Sequence, residues 1–481
     1  MKKNKVIGAA SAVALAVGLI GTAVAPAVAD TGPETTYLVL APQGKSTDKA
    51  AARVAAAGGS VVATYDQIGV LVARSSSTAF ADAVVGGGVQ SVASTEGLGT
   101  TLIDDEIVEA VDAAAVEATG NPTGEPLWNR QWDMTQIDVP AAHAITTGDP
   151  SIVVGVLDSG IDATHPDLAT QVAKDKSASC IGGVVDTSQA AWSPTTSSHG
   201  THVAGTIAAA INGVGIAGVA PGVKVASVKV VNDDGFIFPE AAVCAYLWAA
   251  DHGMPITNNS YYIDPWEFNC VNDPRQRPVW QAVQRALNYS SAKGTLTVAS
   301  AGNSNVDLQH KFIDAGSPND GSSPVETREI NNACRDLPAE APGVVTVSAV
   351  GPGELKSYYS SYGQGVVDVT APGGDTRWRN PAVSTSTDAV LSTVPGGWGY
   401  SQGTSMAGPH AAGVAALALS AHPGMKPGQL ASFLERTATP LPCPEGVYDP
   451  RPGLPYQATC TGGNRNGFYG AGNVNALNAV Q

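Results

Sequence analysis

The stretch SIVVGVLDSG, residues 151–160, decides the fold class of this chain. Its apolar run from Ile152 to Leu157 is rich in β-branched residues, which is typical of a strand buried on both faces, and a carboxylate, Asp158, ends it. Similar runs alternate with helical patterns downstream, among them HGTHVAGTIAA, VKVASVKVV, PEAAVCAYLWAADHG and TLTVASAGN. The alternation predicts an α/β fold, a mostly parallel sheet flanked by helices on both faces.

Three polar residues occupy positions where such a fold binds ligands. Asp158 ends a strand, while His199 and Ser405 each begin a predicted helix. An imidazole can take the proton of a serine hydroxyl, and a carboxylate can fix the tautomer of that imidazole. The backbone N–H of Ser405 and the side-chain amide of Asn303 would supply donors to an oxyanion. Singly each residue is explained as a helix cap or turn, but together they predict acyl-transfer chemistry.

Four blocks carry a family resemblance. VLDSGIDATHPDL (156–168), HGTHVAGTIAA (199–209) and GTSMAGPHAAG (403–413) resemble the three signatures of the subtilisin-like serine proteases. SAGNS (300–304) resembles the block that holds the oxyanion asparagine of that family. The resemblance implies an endopeptidase that acts on proteins or peptides and needs no cofactor for its chemistry.

The resemblance also implies a role for each site residue. Asp158 would orient His199, His199 would be the general base, Ser405 the nucleophile and Asn303 the donor to the oxyanion. The substrate would pair as a strand with residues near Ser260. Residues expected to contact it are Ser260, Tyr261, Ser300, Ala301 and Gly302.

The sequence of the N-terminal part of the chain predicts two further segments. Residues 1–29 combine lysines, an apolar run and a small-residue end, which predicts a secretory signal peptide and an extracellular protein. Within residues 30–120, strands are predicted at 37–41 and 68–73 and helices at 48–57 and 78–85, a small α+β unit. The resemblance makes residues 30–120 an inhibitory propeptide and 121–481 the catalytic domain.

An acidic stretch, residues 106–125, separates the two parts and is predicted to be an exposed linker with a processing site. The formal net charge of −16 argues against nucleic acid or an anionic membrane as partner. The expected protein is a monomer whose own propeptide is its inhibitor.

Export also changes how the six cysteines are interpreted, because an oxidising compartment favours disulfides. Six cysteines can pair in 15 ways. The sequence suggests only the Cys443–Cys460 pair, since both residues lie in one loop rich in proline and glycine.

A structural calcium site is a further expectation from the resemblance. Asp167 and Asn212 occupy positions similar to those of a calcium-binding loop of the family, and Glu125 is a candidate for another oxygen ligand. Side-chain oxygens together with loop carbonyls suit Ca²⁺. The alternative is that Asn212-Gly213 forms an ordinary turn.

Asp336 bears on substrate selectivity. If Leu337-Pro338 takes the place of a residue pair that follows the floor of the family's primary pocket, Asp336 would lie at that floor and favour Arg or Lys in the substrate. Against this, no Lys or Arg lies between Arg74 and Arg130, so self-cleavage in the acidic linker could not use a basic residue. This favours a solvated loop or salt-bridge role for Asp336.

Two rival functions stay open. A non-catalytic protein with the same fold would usually have a broken triad, whereas all four catalytic positions are intact here. A dedicated processing enzyme, or one that transfers the acyl group to an amine, is favoured by the long segments 261–278 and 304–343.

Overall fold

A computed structural model of the protein describes residues 31–95, 109–111, 123–317, 325–380 and 383–481. The predicted signal peptide and most of the predicted linker lie outside the described residues. Within these ranges, no helix has the length and apolar character needed to cross a bilayer.

The N-terminal unit is an antiparallel four-stranded sheet in the order β2-β3-β1-β4, with two helices. Both strands and both helices predicted from the sequence are present, and the structure adds β2 and β4. Its elements are β1 (Thr31–Leu40), α1 (Asp48–Ala56), β2 (Ser60–Tyr65), β3 (Val70–Ser77), α2 (Phe80–Val84) and β4 (Ser91–Ser94).

Side-chain alternation along β1 buries both faces of this small sheet. Val39 packs towards the two helices of the unit, whereas Leu38 and Leu40 join a second cluster on the opposite face. That second cluster also holds residues of two helices of the main body, α7 and α8, whose bounds are given below. The N-terminal unit therefore shares a hydrophobic core with the rest of the protein.

The main sheet has seven strands in the order β16-β15-β11-β9-β6-β8-β7, and every adjacent pair is parallel. The remaining strands, which form small sheets, begin with β5, a piece of the predicted linker that pairs with β18. In chain order the strands after β4 are β5 (Glu109–Val111), β6 (Val153–Asp158), β7 (Ala178–Ser179), β8 (Lys224–Lys229), β9 (Ile256–Asn259), β10 (Asn269–Cys270), β11 (Leu296–Ser300), β12 (Ile313–Ser317), β13 (Glu326–Glu329), β14 (Cys334–Arg335), β15 (Val344–Val350), β16 (Val369–Pro372), β17 (Val390–Val394), β18 (Gly397–Ser401), β19 (Val447–Tyr448) and β20 (Ala458–Thr459).

Helices cover both faces of the main sheet, as the alternation predicted. Val154 and Val156 of β6 pack with α6 and α9, whereas Val153 and Leu157 pack with α7 and α8. The helices after α2 are α3 (Trp132–Gln136), α4 (Val139–His143), α5 (Gln189–Trp192), α6 (His199–Ala208), α7 (Pro239–Asp251), α8 (Arg277–Lys293), α9 (Thr404–Ala421), α10 (Pro427–Thr437) and α11 (Ala476–Val480).

The register of the three central strands creates the functional edge. Leu157 of β6 and Ala299 of β11 both lie opposite Asn259 of β9. The next residues along the chain, Asp158, Ser260 and Ser300, therefore end up side by side at the carboxyl edge of the sheet. Ligands bind at this edge in parallel α/β folds.

All six cysteines form disulfides: Cys180–Cys244, Cys270–Cys334 and Cys443–Cys460. The predicted Cys443–Cys460 pair is confirmed. The Cys270–Cys334 bond joins the two long segments that follow β9 and β11, and they share a small core of Phe268, Leu308 and Ile330. We call this disulfide-linked unit, residues 264–275, 306–317 and 325–335, the cap.

Candidate active site

Asp158 and His199 form a buried hydrogen-bonded pair at the carboxyl edge of the sheet. His199 Nδ1 lies 2.8 Å from Oδ1 and 2.9 Å from Oδ2 of Asp158, and their side chains are 4% and 1% exposed. A carboxylate can only accept, so Nδ1 carries the proton and Nε2 becomes the basic nitrogen of the neutral ring. The pair has the geometry of an oriented general base.

Gly200 allows this pair to come together. A Cβ at this position would lie 2.5 Å from Gly160 O and 3.0 Å from Asp158 Oδ1, so any larger residue would push α6 away from β6. The Gly200 N–H also donates to Ser159 Oγ at 3.0 Å, which joins the helix start to the strand end. Steric crowding therefore explains why a glycine follows the histidine in the block HGTHVAGTIAA.

Ser405 lies in the first turn of α9 and is held by Ser260. Pro409 has no N–H, so the carbonyl of Ser405 lacks its usual helical donor four residues on. Ser260 Oγ supplies the missing hydrogen bond at 2.9 Å, and Ser405 Oγ lies 3.4 Å from Ser260 O. Asn258 Nδ2 in turn donates to Ser260 Oγ at 2.9 Å, so the end of β9 fixes the start of α9.

A second pair of histidine and aspartate, which is fully buried, fixes the position of α9. His410 Nε2 lies 2.9 Å from Asp133 Oδ2, and its Nδ1 donates to the Met406 carbonyl at 2.7 Å. Both side chains are completely shielded from solvent. Met406 follows Ser405 directly, so this pair ties α3 to the turn that carries the candidate nucleophile.

Asn303 is oriented by the residue that precedes Ser405. Its Oδ1 accepts from Thr404 N at 2.9 Å and from Thr404 Oγ1 at 2.8 Å. Because a backbone N–H can only donate, the amide oxygen must face Thr404, which leaves the Nδ2 group as a donor at the other end. Asn303 and the helix start of Ser405 can thus both offer N–H groups to an oxyanion.

The residues expected to contact substrate divide into two groups. Ser300 and Gly302 lie along the edge next to Asn303. Ser260 lies next to Ser405, but its side chain is completely buried and bonded to the Ser405 carbonyl. The side chain of Tyr261 instead lies in the core. Its hydroxyl donates to Asn259 Oδ1 at 3.0 Å and lies within hydrogen-bonding distance of the Tyr246 hydroxyl. Burial raises the pKa of Tyr261 well above its ordinary value. Ala301 is likewise completely buried, so for both residues only the backbone is placed for such a contact.

Asp336 is buried beside the Asn303 loop, so the interpretation as a solvated residue is wrong. The residue is 3% exposed, and a Cβ on Gly302 would lie 3.4 Å from its Oδ2. Its Oδ1 is buried without a hydrogen-bond partner in the described part of the chain. Burial, with the nearby charges of Glu267 and Glu340, raises the pKa of Asp336 well above its ordinary value, against the effect of Lys311.

The expected calcium ligands do not fit a cation. Asp167 Oδ2 accepts from Ile216 N and the Trp398 indole, and Asn212 Nδ2 donates to the Pro166 carbonyl. Glu125 is fully buried and accepts backbone N–H groups, which also contradicts its assignment to an exposed linker. In the described ranges, no group of three or more His, Cys, Asp or Glu side chains is arranged to hold a metal ion.

Sequence reasoning missed several supporting residues. The bond of Ser159 to the α6 start, the Asn258–Ser260 pair and the Asp133–His410 pair each join segments far apart in sequence. One signal was available: Pro409 stands four residues after Ser405 and so predicts an unpaired carbonyl there.

Comparison with known proteins agrees with this fold. The model described as the Subtilase family, Peptidase S8, matches residues 149–472. The chain therefore belongs to the subtilase family.

Two relatives with curated sequences show how similar the chain is to known proteins in sequence. Fervidolysin of Fervidobacterium pennivorans is 31% identical over 337 residues, 67% of this chain and 42% of fervidolysin. Subtilisin NAT of Bacillus subtilis subsp. natto is 32% identical over 311 residues, 64% of this chain and 66% of that protein. The chain thus spans about two fifths of the first and about two thirds of the second.

Solved structures agree in fold. An epidermin leader peptide processing serine protease of Staphylococcus aureus superposes with a TM-score of 0.67 at 21% identity, covering 93% of this chain and 98% of that one. A protease of Pseudoalteromonas arctica gives 0.55 at 29% identity, covering 74% and 98%. A lanthipeptide protease gives 0.54 at 25% identity, covering 73% and 93%.

Proposed function

We propose that the protein is a secreted serine endopeptidase with Asp158, His199 and Ser405 as its triad. Ser405 Oγ attacks the peptide carbonyl carbon while its proton passes to His199 Nε2, and Asp158 stabilises the imidazolium through Nδ1. His199 then gives the proton to the leaving amine, and a water that it activates releases the acyl group. The buried Asp158–His199 pair, at the same sheet edge where Ser260 holds Ser405, is the observation that carries this proposal.

The oxyanion of each tetrahedral intermediate would be stabilised by two fixed donors. One is the Asn303 amide group, whose orientation Thr404 sets, and the other is the backbone N–H of Ser405. Neither donor needs to move during the reaction, because Thr404 holds the Asn303 amide and Ser260 holds the first turn of α9, in which Ser405 lies.

Residues 30–120 would act as an inhibitory propeptide that the enzyme itself removes. Support comes from the core that the N-terminal unit shares with α7 and α8, and from Arg285 of α8. Its Nη1 donates to the carbonyls of Ala41, Ile68 and Gly69 at 2.9–3.2 Å. Such contacts suit a folding partner of the catalytic part.

The test is the intact mass of the secreted protein, wild type beside Ser405→Ala, from the same host. Loss of the segment up to about residue 120 in the wild type alone would support self-processing by Ser405. Retention in both, or loss at one common site in both, would count against it.

A dedicated peptide-processing enzyme is the second candidate, and the cap is the observation that favours it. The cap is closed by Cys270–Cys334 and stands beside buried Asp336. An acidic pocket floor would select substrates with Arg or Lys at the residue before the cleaved bond. A general protease would degrade unfolded casein at many sites, whereas a processing enzyme would cut few peptides in a mixed library.

A further inference from the structure

The loop from Asn212 to Ala217 presents a row of backbone N–H groups to buried side-chain oxygens. Glu125 Oε1 accepts from Asn212 N at 2.5 Å and Gly213 N at 2.7 Å, and Oε2 accepts from Val214 N at 3.0 Å and Gly215 N at 3.1 Å. Four consecutive amides thus converge on one carboxylate, and Glu125 is 0% exposed.

The next two amides of the loop follow the same pattern. Ile216 N donates to Asp167 Oδ2 at 3.1 Å and Ala217 N donates to Gln131 Oε1 at 3.1 Å. The positive φ of Gly213, +78°, lets successive N–H groups turn towards one point. Such a concave arrangement of amides binds anions.

Two of the loop carbonyls are engaged as well. Gly215 O accepts from Leu127 N at 2.9 Å, and Ala217 O accepts from Gln131 Nε2 at 2.8 Å. One buried oxygen, Asp167 Oδ1, accepts no hydrogen bond from the described residues. Ca²⁺ needs about six to eight oxygen ligands. Both oxygens of Glu125, Oδ2 of Asp167 and Oδ1 of Asn212 already accept N–H groups, so Asp167 Oδ1 is the one side-chain oxygen of the expected ligands without a donor among the described residues.

We propose that residues 212–215 form a carboxylate-binding amide nest, filled by Glu125, which stabilises this region without any metal ion. The loop is therefore an anion site where the family resemblance led us to expect calcium. Its ligand class is a carboxylate, supplied here by the chain itself.

The experiment uses the full chain carrying Ser405→Ala, so that no self-digestion occurs. The thermal unfolding midpoint is measured at one scan rate in excess EDTA, in excess CaCl2 and in sodium formate. Formate is a free carboxylate small enough to enter the nest that Glu125→Ala vacates. Glu445→Gln is the matched control, because Glu445 is an exposed acid outside the loop.

We expect EDTA and CaCl2 to leave the parent midpoint unchanged to within about 1 °C, and Glu125→Ala to lower it by about 3 °C or more. Formate should restore at least half of that loss and leave the parent and Glu445→Gln unchanged. If Glu125→Ala does not fold, Glu125→Gln takes its place, since its amide offers the nest one oxygen instead of two. A midpoint of the parent that calcium raises by several degrees would overturn the proposal. So would a Glu125 variant as stable as Glu445→Gln, or a loss that formate does not repair.

Discussion

Both carboxylate oxygens of Asp158 lie within hydrogen-bonding distance of His199 Nδ1, at 2.8 and 2.9 Å. This contact predicts the effect of Asp158→Asn. The amide would offer an NH2 group to Nδ1 and so favour the wrong tautomer, and we expect kcat to fall by about 10⁴-fold with little change in KM. Steady-state hydrolysis of a chromogenic peptide measures this, with Asp162→Asn as control. A variant that keeps a tenth of the parent kcat would exclude the assigned role of Asp158.

Asn303→Ala tests the oxyanion donor. We expect kcat to fall by about 10²–10³-fold at nearly constant KM, because the amide acts on charge that develops only in the transition state; this range was established on subtilisin, a relative. The neighbouring exposed residue provides the control, Ser304→Ala. Equal losses in the two variants would point to loop damage instead of a lost donor.

Asp336→Asn tests selectivity. If Asp336 pairs with a basic side chain, the parent should prefer Arg-ending over Phe-ending chromogenic peptides, and the variant should lower that ratio of kcat/KM by about 10–10²-fold. The Phe-ending peptide serves as internal control, since its turnover should change little. A parent that cleaves the Phe-ending peptide faster would rule out the acidic pocket.

The same residue predicts a pH effect on selectivity. The pKa of Asp336 is raised, mainly by burial, so its carboxyl is neutral at low pH and gains charge as the pH rises. The Arg-to-Phe ratio of kcat/KM should therefore increase with pH in the parent and stay flat in Asp336→Asn. A ratio that falls with pH in the parent would contradict this sign.

Arg285→Met tests the attachment of the N-terminal unit. The substitution keeps an apolar stem but removes the donors to Ala41, Ile68 and Gly69, so we expect faster opening at these residues. Hydrogen–deuterium exchange of the Ser405→Ala protein measures it, and we expect exchange in this unit to accelerate about tenfold. Arg277→Met, on the same helix, is the control because its Nε donates to Val271 O. Identical exchange in both variants would show that Arg285 does not hold the unit.

Lys356 predicts a pH dependence of stability. Desolvation lowers the pKa of this fully buried amine to about 7, although Asp375 opposes the shift, while the unfolded chain keeps its ordinary value of 10.5. Between these values the unfolded state binds a proton that the folded state lacks, so stability should rise with pH by up to about 1.4 kcal/mol per unit. Urea unfolding of the Ser405→Ala protein from pH 7 to 10 measures this slope, and Lys356→Met should be less steep. Equal slopes in both proteins would refute it.

The sequence predicted the fold because its main signals are local. The buried strand that ends at Asp158 and the helix starts at His199 and Ser405 need only periodicity and a short motif to be recognised, and the structure brings the three to one edge. The burial of Tyr261 and Asp336 could not be predicted from such local signals. It depends on which distant segment covers each side chain, and a polar residue in a loop is usually exposed.

Contacts between residues far apart in the sequence could not be predicted either. Cys180–Cys244 and Cys270–Cys334 each join residues 64 positions apart, whereas Cys443–Cys460 spans 17 and was predicted. Glu125 is a clearer example, because it lies in an acidic stretch of sequence, and such a stretch predicts exposure to solvent. Only the fold shows that the amides of residues 212–215 surround its carboxylate.

The nest also restricts where the backbone can be cut. Glu125 is covalently joined to the α3 region through Leu127, so its carboxylate meets the nest at a fixed, high effective concentration. A cut before Glu125 keeps that tether. A cut between Glu125 and Leu127 would turn the same carboxylate into part of a separable peptide that dilution can remove. We therefore expect any processed form that keeps the nest filled to begin at or before Glu125.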